Sequence, residues 1–271
     1  MSILAGVIGD PIGHSRSPRL HGHWLARYGI DGYYVPLHVR AADLDEMLRL
    51  LPRLGFAGVN VTIPHKEAVF ARADEVTERA GAVGAANTLS FRQGRILADN
   101  TDGIGFIENL RQGAPGWRAD RPALVLGAGG AARGIVDALL RSGVPRVTLA
   151  NRTTERAEAL AVTCGERVDV IRWEEMPTVL GAQGLLVNAT SLGMTRQPPL
   201  TLDFDELPTD ALVTDIVYTP LETPLLRWAA ARGNPIIDGL GMLLHQAVPG
   251  FADWFGTTPV VDDALRRAVL S

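Results

Sequence analysis

The sequence predicts an α/β protein of two domains, and three observations carry that expectation. Short apolar runs alternate with helix-period stretches, the pattern of strands joined by crossover helices in a largely parallel sheet. A glycine-rich turn, residues 127–131, lies between an apolar run and a helical pattern in the second half. The segment 112–122, QGAPGWRADRP, is rich in Gly and Pro and separates one series of elements from another. A length of 271 residues fits two domains at roughly 150 residues each.

In chain order, Ile3–Ile8 reads as a buried strand and Pro18–Tyr28 as a helix, with Ser17 a candidate cap and Pro18 at the first position. Tyr33–Val39 is a second strand, Ala42–Leu54 a helix and Gly58–Thr62 a third strand. Pro64–Ala71 begins a helix that carries Lys66 in its first turn. Ala86–Phe91 and Arg95–Ala98 flank Gln93-Gly94 and read as a hairpin. Thr101–Leu110 begins another helix, so the domain boundary falls at 101–103 or in the connection that follows. The second series has strands at Ala123–Leu126, Arg146–Ala150, Gly184–Asn188, Ala211–Val217 and Pro235–Asp238. The tail Leu243–Leu270 is helical in pattern and is expected to return to the first domain.

Composition narrows the function. A chain that is 46% hydrophobic and 21% charged is globular rather than disordered. A net charge of −4 leaves no basic footprint for nucleic acid. The single cysteine, Cys164, excludes a disulfide framework and a cysteine-based zinc site. No run approaches the ~18 apolar residues of a membrane span, and Asp10-Pro11 interrupt the first apolar stretch, so no membrane partner and a cytoplasmic location are expected. Lysine and arginine total 26, and Lys66 is the only lysine. An amine can give up its proton where a guanidinium holds it, so the one lysine marks a candidate for proton chemistry.

The strongest local signal is Gly127-x-Gly129-x-x-Ala132 between a strand and a helix. Glycine permits the tight turn and the close approach of backbone to a pyrophosphate, whose charge suits a helix N-terminus. This Rossmann-type reading competes with a tight turn that binds nothing. An NAD site usually carries a carboxylate at the end of the second strand for the ribose 2′-hydroxyl. Here the segment is Asn151-Arg152-Thr153-Thr154-Glu155-Arg156, with an arginine right after the strand end. A guanidinium pairs with a 2′-phosphate that a carboxylate would repel, so NADP is the expected cofactor; the alternative is a solvated helix start.

In the first domain, Ser15 and Ser17 precede a helix, where they serve as helix cap or as ligand donors. Asn60-Val61-Thr62 places polar groups at a strand end, where α/β sheets bind ligands. Asn87-Thr88 and residues 99–102 add amides, hydroxyls and carboxylates, although Asp102 is also a natural helix cap. His21-x-His23 is no metal pair, because residues two apart do not share a helix face.

Gly9-x-Pro11…His14-Ser15-x-Ser17-Pro18, Asn60-Val61-Thr62-x-Pro64-x-Lys66, Gly84-Ala85-x-Asn87-Thr88, Thr101-Asp102-Gly103, Gly127-Ala128-Gly129-Gly130-Ala131, Asn151-Arg152-Thr153 and Asp238-Gly239-Leu240-Gly241-Met242-Leu243 together resemble the shikimate dehydrogenase family. The resemblance implies an NADP-dependent enzyme that reversibly reduces 3-dehydroshikimate to shikimate in chorismate and aromatic amino acid biosynthesis. It implies that Ser15 and Ser17 bind the substrate carboxylate and that Thr62, Asn87 and Asp102, with Tyr218 and Gln246, hold ring hydroxyls. Lys66 is implied as the acid/base residue and Asp102 as the residue that orients it. Gly127, Ala128, Gly129, Gly130 and Ala131, with Asn151, Arg152, Thr153 and Arg156, are implied to hold NADP. Ile216 and Gly239 are implied to line the nicotinamide, and Glu78 to lie near the cofactor. One departure is His21-Gly22, where members commonly read His-Asn.

The expected division is residues 1–101 plus 240–271 as the substrate-binding catalytic domain and 102–239 as a doubly wound Rossmann domain for NADP. Partners are small molecules, with a homodimer left open. Two alternatives stand: a quinate/shikimate dehydrogenase of broader specificity, and a non-catalytic NADP-binding regulator. Quinate carries an extra hydroxyl beside its carboxylate, so a second serine at Ser17 favours shikimate. A regulator would have no use for Lys66 with Asp102.

Overall fold

The structure is a computed structural model that describes residues 2–200 and 203–271. It divides into two compact units, residues 1–101 with 244–271, and residues 102–243.

The first unit opens with β1 (Ile3–Gly9), α1 (Ser17–Tyr28) and β2 (Gly32–His38). A 3₁₀ turn at Ala41–Asp43 leads into α2 (Leu44–Arg53), then β3 (Phe56–Val61), α3 (Lys66–Phe70), β4 (Glu75–Val76) and α4 (Glu78–Val83). β5 (Thr88–Arg92) and β6 (Arg95–Asp99) follow. The six strands order as β2-β1-β3-β5-β6-β4. β1 pairs in parallel with β2 and β3, whereas β5 runs antiparallel to β3 and β6. The expected hairpin is present: Gln93 (φ 51°) and Gly94 (φ 76°) take the left-handed conformation that a two-residue turn requires. α2 buries Leu44, Leu48 and Leu51, its helical stripe, in a core with Ile8, Val59, Val61 and Leu89. α1 starts one residue before its expected first position. Ser17 is its first residue, and Arg16 holds the cap position without a side-chain cap bond. Ser17 is therefore not a cap.

The second unit comprises α5 (Asp102–Gly113), β7 (Ala123–Leu126), α6 (Gly130–Arg141), β8 (Val147–Ala150), α7 (Thr154–Cys164), β9 (Val168–Ile171), β10 (Leu185–Asn188), β11 (Leu212–Asp215), α8 (Pro224–Arg232) and β12 (Ile236–Ile237). Its strands order as β12-β11-β10-β7-β8-β9, all parallel. The order reverses between β7 and β10, the switch point where doubly wound sheets bind ligands outside the strand ends. Both faces are covered: Ile135, Val136 and Leu139 pack in one cluster, and Leu180, Phe204 and Leu226 in another. Strands buried on both faces read as unbroken apolar runs, which is why 123–126 and 185–188 were legible.

α9 (Leu240–Phe255) begins in the second unit, where Met242 joins the core with Ile237, and continues into the first. The division after residue 243 thus falls inside this helix rather than at 240. α10 (Asp263–Leu270) is capped by Asp262, whose carboxylate accepts from Leu265 N–H. It packs on α1, where Arg16 donates to the Val269 carbonyl at 3.0 Å and Trp24 Nε1 to the Val260 carbonyl at 3.0 Å. Among the described residues no helix is long and apolar enough to cross a membrane.

Candidate active site

The expected substrate groups of the first unit sit at strand ends and helix starts. Ser15 N–H donates to the Ile12 carbonyl at 3.0 Å, and Ser17 N–H donates to Ser15 Oγ at 3.3 Å, so the two serines share one turn. Thr62 follows β3, and its N–H donates to the Ile8 carbonyl at 3.0 Å. Half-buried Lys66 opens α3, and its carbonyl accepts Ala86 N–H at 2.9 Å. That bond fastens the start of α3 to the residue preceding Asn87.

Around Asn87 the side chains form a buried polar network. Tyr34 Oη donates to Asn60 Oδ1 at 2.7 Å. Asn60 Nδ2 donates to Thr88 Oγ1 at 3.2 Å and to the Asn87 carbonyl at 3.3 Å. Thr88 Oγ1 donates to Asn87 Oδ1 at 3.0 Å, which also accepts Thr101 N–H at 2.9 Å. Asn87 Nδ2 donates to Gln246 Oε1 at 3.2 Å, and Thr101 Oγ1 to the Gln246 carbonyl at 2.8 Å. Asn60, Asn87, Thr88, Thr101 and Gln246 are all buried. Such groups are retained only where their hydrogen bonds are satisfied, so the network holds them in one arrangement. It joins Asn87 from the middle of the chain to Gln246 on α9.

His21 packs beside this network. Its ring stacks on Tyr34 at 3.8 Å between centroids and 4° between planes, with Trp24, Phe251 and Trp254 around it. Both ring nitrogens are buried without a hydrogen-bond partner. Burial brings the imidazole down to about 3, only partly opposed by the nearby Asn60 side chain, so His21 is a neutral aromatic plate. Burial also pushes the Tyr34 phenol up, partly offset by Ser17.

In the second unit the glycine turn runs from β7 into α6. Gly127 has φ 112°, and a Cβ there would lie 2.9 Å from the Ala189 carbonyl oxygen. Glycine is required on both counts. Gly129 and Gly130 are exposed at the N-terminus of α6, and a Cβ on either would meet nothing within 4 Å. An open helix N-terminus at the switch point is a cradle for a pyrophosphate. At the end of β8, Asn151 Nδ2 donates to the Thr153 carbonyl at 2.7 Å, and Arg152 and Arg156 are exposed. The residues present therefore fit a dinucleotide with a 2′-phosphate.

Ile216 and Tyr218 follow β11, beside Asp215. That carboxylate is fully buried and accepts from Asn188 Nδ2 (3.0 Å), Val217 N–H (3.0 Å) and Thr223 Oγ1 (2.7 Å). Burial pushes its carboxyl up, and the three donors counter it. The bond to Val217 N–H fixes the backbone that carries Ile216 and Tyr218. A Cβ on Gly239 would collide with the Ile216 carbonyl, so only glycine fits there. Asp102 is the first residue of α5, buried, and follows Thr101 in the chain. Glu78 lies in the first unit, exposed, at the start of α4.

Sequence reasoning missed Tyr34, Asn60, Thr88 and Thr101 as members of the network, and Asp215 with Asn188 and Thr223. Asn60, Thr88 and Thr101 lay inside motifs already singled out. Tyr34 carried no signal, because a tyrosine in a strand reads as ordinary sheet packing.

Two family models match the chain, the shikimate dehydrogenase substrate binding domain over residues 7–89 and shikimate / quinate 5-dehydrogenase over residues 113–196. A shikimate dehydrogenase (NADP(+)) of Jannaschia sp. (strain CCS1) is 60% identical over 270 residues, covering 99% of this chain and 97% of the relative. Quinate dehydrogenase from Corynebacterium glutamicum, solved with NAD, has a TM-score of 0.93 at 35% identity and covers 99% of each chain. Shikimate 5-dehydrogenase from Thermus thermophilus, solved with NADP(H) and shikimate, has a TM-score of 0.88 at 38% identity, over 99% of this chain and 100% of that one.

Proposed function

The chain belongs to the shikimate dehydrogenase family, and from that premise we propose that it reversibly reduces 3-dehydroshikimate to shikimate with NADP as its cofactor, a step of chorismate and aromatic amino acid biosynthesis. The observation that carries this reading is the 60% identity to an NADP-dependent shikimate dehydrogenase along 99% of the chain. The absence of a carboxylate from residues 151–154, with Arg152 exposed in that turn, supports NADP over NAD.

Site roles follow from the chemistry of the residues. Ser15 and Ser17 offer hydroxyl donors to the substrate carboxylate. Thr62, Asn87 and Gln246, with Tyr218 and Asp102, hold the ring hydroxyls. The turn 127–131 takes the pyrophosphate, and Asn151, Arg152, Thr153 and Arg156 take the adenosine end with its 2′-phosphate. Ile216 and Gly239 line the nicotinamide; Glu78 is assigned to the cofactor side on the family resemblance alone. When bound, NADPH supplies the hydride that reduces the ring ketone. Lys66, as an ammonium, donates the proton that the developing alkoxide needs, and in the reverse direction it accepts that proton as a neutral amine; Asp102 serves this proton chemistry. The enzyme is proposed to be cytoplasmic, and a solution mass measurement decides between monomer and homodimer.

The test compares NADP reduction by the wild-type protein with shikimate and with quinate, then repeats it for Lys66→Arg and Lys66→Ala. Both variants should bind NADP and lose a factor of about 10²–10⁴ in turnover, the usual worth of general acid–base catalysis. An arginine variant within a few-fold of wild type would overturn the role of Lys66. Faster turnover of quinate than shikimate would overturn the substrate.

A further inference from the structure

We propose that Arg16 is a positioning residue for substrate binding, which braces the turn carrying Ser15 and Ser17 against the C-terminal helix α10; this rests on the reading of the two serines as the site of the substrate carboxylate. Arg16 stands between them in the chain and is half-buried, and Ser17 is buried. The Arg16 Nη1 donates to the Val269 carbonyl at 3.0 Å. Val269 lies in the last turn of α10, where carbonyls have no donor within the helix. A guanidinium placed there satisfies such a carbonyl and meets the negative end of the helix dipole.

The start of α1 is not closed by the usual device. Ser17 is its first residue, and Arg16 in the cap position makes no side-chain cap bond. The bonds from Ser15 N–H to the Ile12 carbonyl (3.0 Å) and from Ser17 N–H to Ser15 Oγ (3.3 Å) close the turn on itself and reach no other element. On its inner side Ser17 rests beside Tyr34. On its outer side the bond to Val269 ties the turn to α10.

That partner is itself anchored. Asp262 caps α10 and pairs with Arg27 of α1 at 2.6 Å. Trp24 Nε1 donates to the Val260 carbonyl at 3.0 Å, and Tyr28 Oη accepts Val260 N–H at 3.0 Å. Residue 16 thus meets 269 while 24–28 meet 260–262, so the C-terminal segment runs antiparallel to α1. Between these ends Leu265 and Val269 are fully buried, as are Leu20 and Trp24. Trp24, Arg27 and Tyr28 hold the half of α1 remote from the serines; Arg16 holds the end that carries them. Without that tie the serine turn must be ordered by the substrate, and the ordering is charged to binding rather than to the chemical step.

Two variants cut the tie from opposite sides. Arg16→Met keeps the apolar stem and removes the guanidinium. Leu265→Ala leaves Arg16 and its charge in place and loosens the seat of α10. Arg16→Met should raise KM for shikimate about fivefold, with KM for NADP unchanged and kcat within about twofold. Leu265→Ala should shift KM for shikimate in the same direction by less. A merely structural role would lower the folded fraction, and so the apparent kcat, and leave KM alone. Wild-type KM for shikimate in Arg16→Met, or a loss confined to kcat, would overturn the proposal. So would a normal KM in Leu265→Ala beside a raised one in Arg16→Met, because the Arg16 charge would then act without α10. Ser15→Ala and Ser17→Ala identify the cause of a failure. If both leave KM for shikimate unchanged, the carboxylate reading of the serines falls and the proposal with it; if they raise it while Arg16→Met does not, only the role of Arg16 falls.

Discussion

Lowering the pH from 7 to 4.5 should weaken the fold by about 3 kcal/mol through His21 alone. Burial takes this imidazole from its ordinary 6.5 down to about 3, so the folded protein keeps it neutral where the unfolded chain takes up a proton. For a base with a lowered folded-state value, the stabilisation is complete above 6.5. It is lost as the pH falls from there toward 3, at ~1.4 kcal/mol per pH unit. A pH of 4.5 lies about two units below the unfolded value, which gives the loss of about 3 kcal/mol. The assay is urea unfolding of wild type and His21→Phe at both pH values. The carboxylates titrate in both proteins and cancel in the comparison. Phenylalanine keeps a ring against Tyr34 and removes two nitrogens that have no partner, so the variant should lose about 3 kcal/mol less than wild type on acidification. If both lose the same amount, His21 is not held neutral by burial, and the account of it as an aromatic plate is wrong.

Arg152→Ala should raise KM for NADP by about tenfold or more and leave KM for NAD nearly unchanged, since one charge-assisted contact to the 2′-phosphate is removed; equal losses with both cofactors would show a structural role. Asp215→Leu should lower unfolding stability by roughly 2–4 kcal/mol, because Asn188, Val217 and Thr223 would each keep a buried donor without an acceptor. Asp215→Asn should cost much less. Burial holds the Asp215 carboxyl up, so its ionisation opposes folding, and that opposition is absent at acid pH and grows as pH rises toward the raised value. The Asn variant should therefore compare best with wild type at neutral pH, and unfolding curves at acid and neutral pH would check the sign.

Much of the fold was readable locally. Strands buried on both faces appear as unbroken apolar runs, and β7 was delimited at both ends for that reason. The hairpin at 93–94 was readable because few residues accept the left-handed turn. β4, α4, β9, α7 and α8 were not marked out. β4 has two residues, both exposed, and α7 buries only Ala157 and Leu160, so neither carries a strong apolar period. Ser17 looked like a cap because serine before a helical pattern usually is one, and the pattern cannot tell the cap position from the residue after it.

The sequence by itself determined the chemistry available: one lysine in a chain of arginines, a glycine turn between strand and helix, and an arginine in place of a carboxylate after β8. Each is a property of residue type and close spacing, which a linear reading holds. Only the tertiary structure decided how the polar groups are aimed. Asn87 and Gln246 lie 159 positions apart and meet at 3.2 Å, and Tyr34 reaches Asn87 through Asn60 and Thr88. An amide offers a donor and an acceptor alike, so its residue type leaves its direction open. That direction is set by which neighbours the strand register and α9 bring against it, and by the cost of burying any donor without a partner.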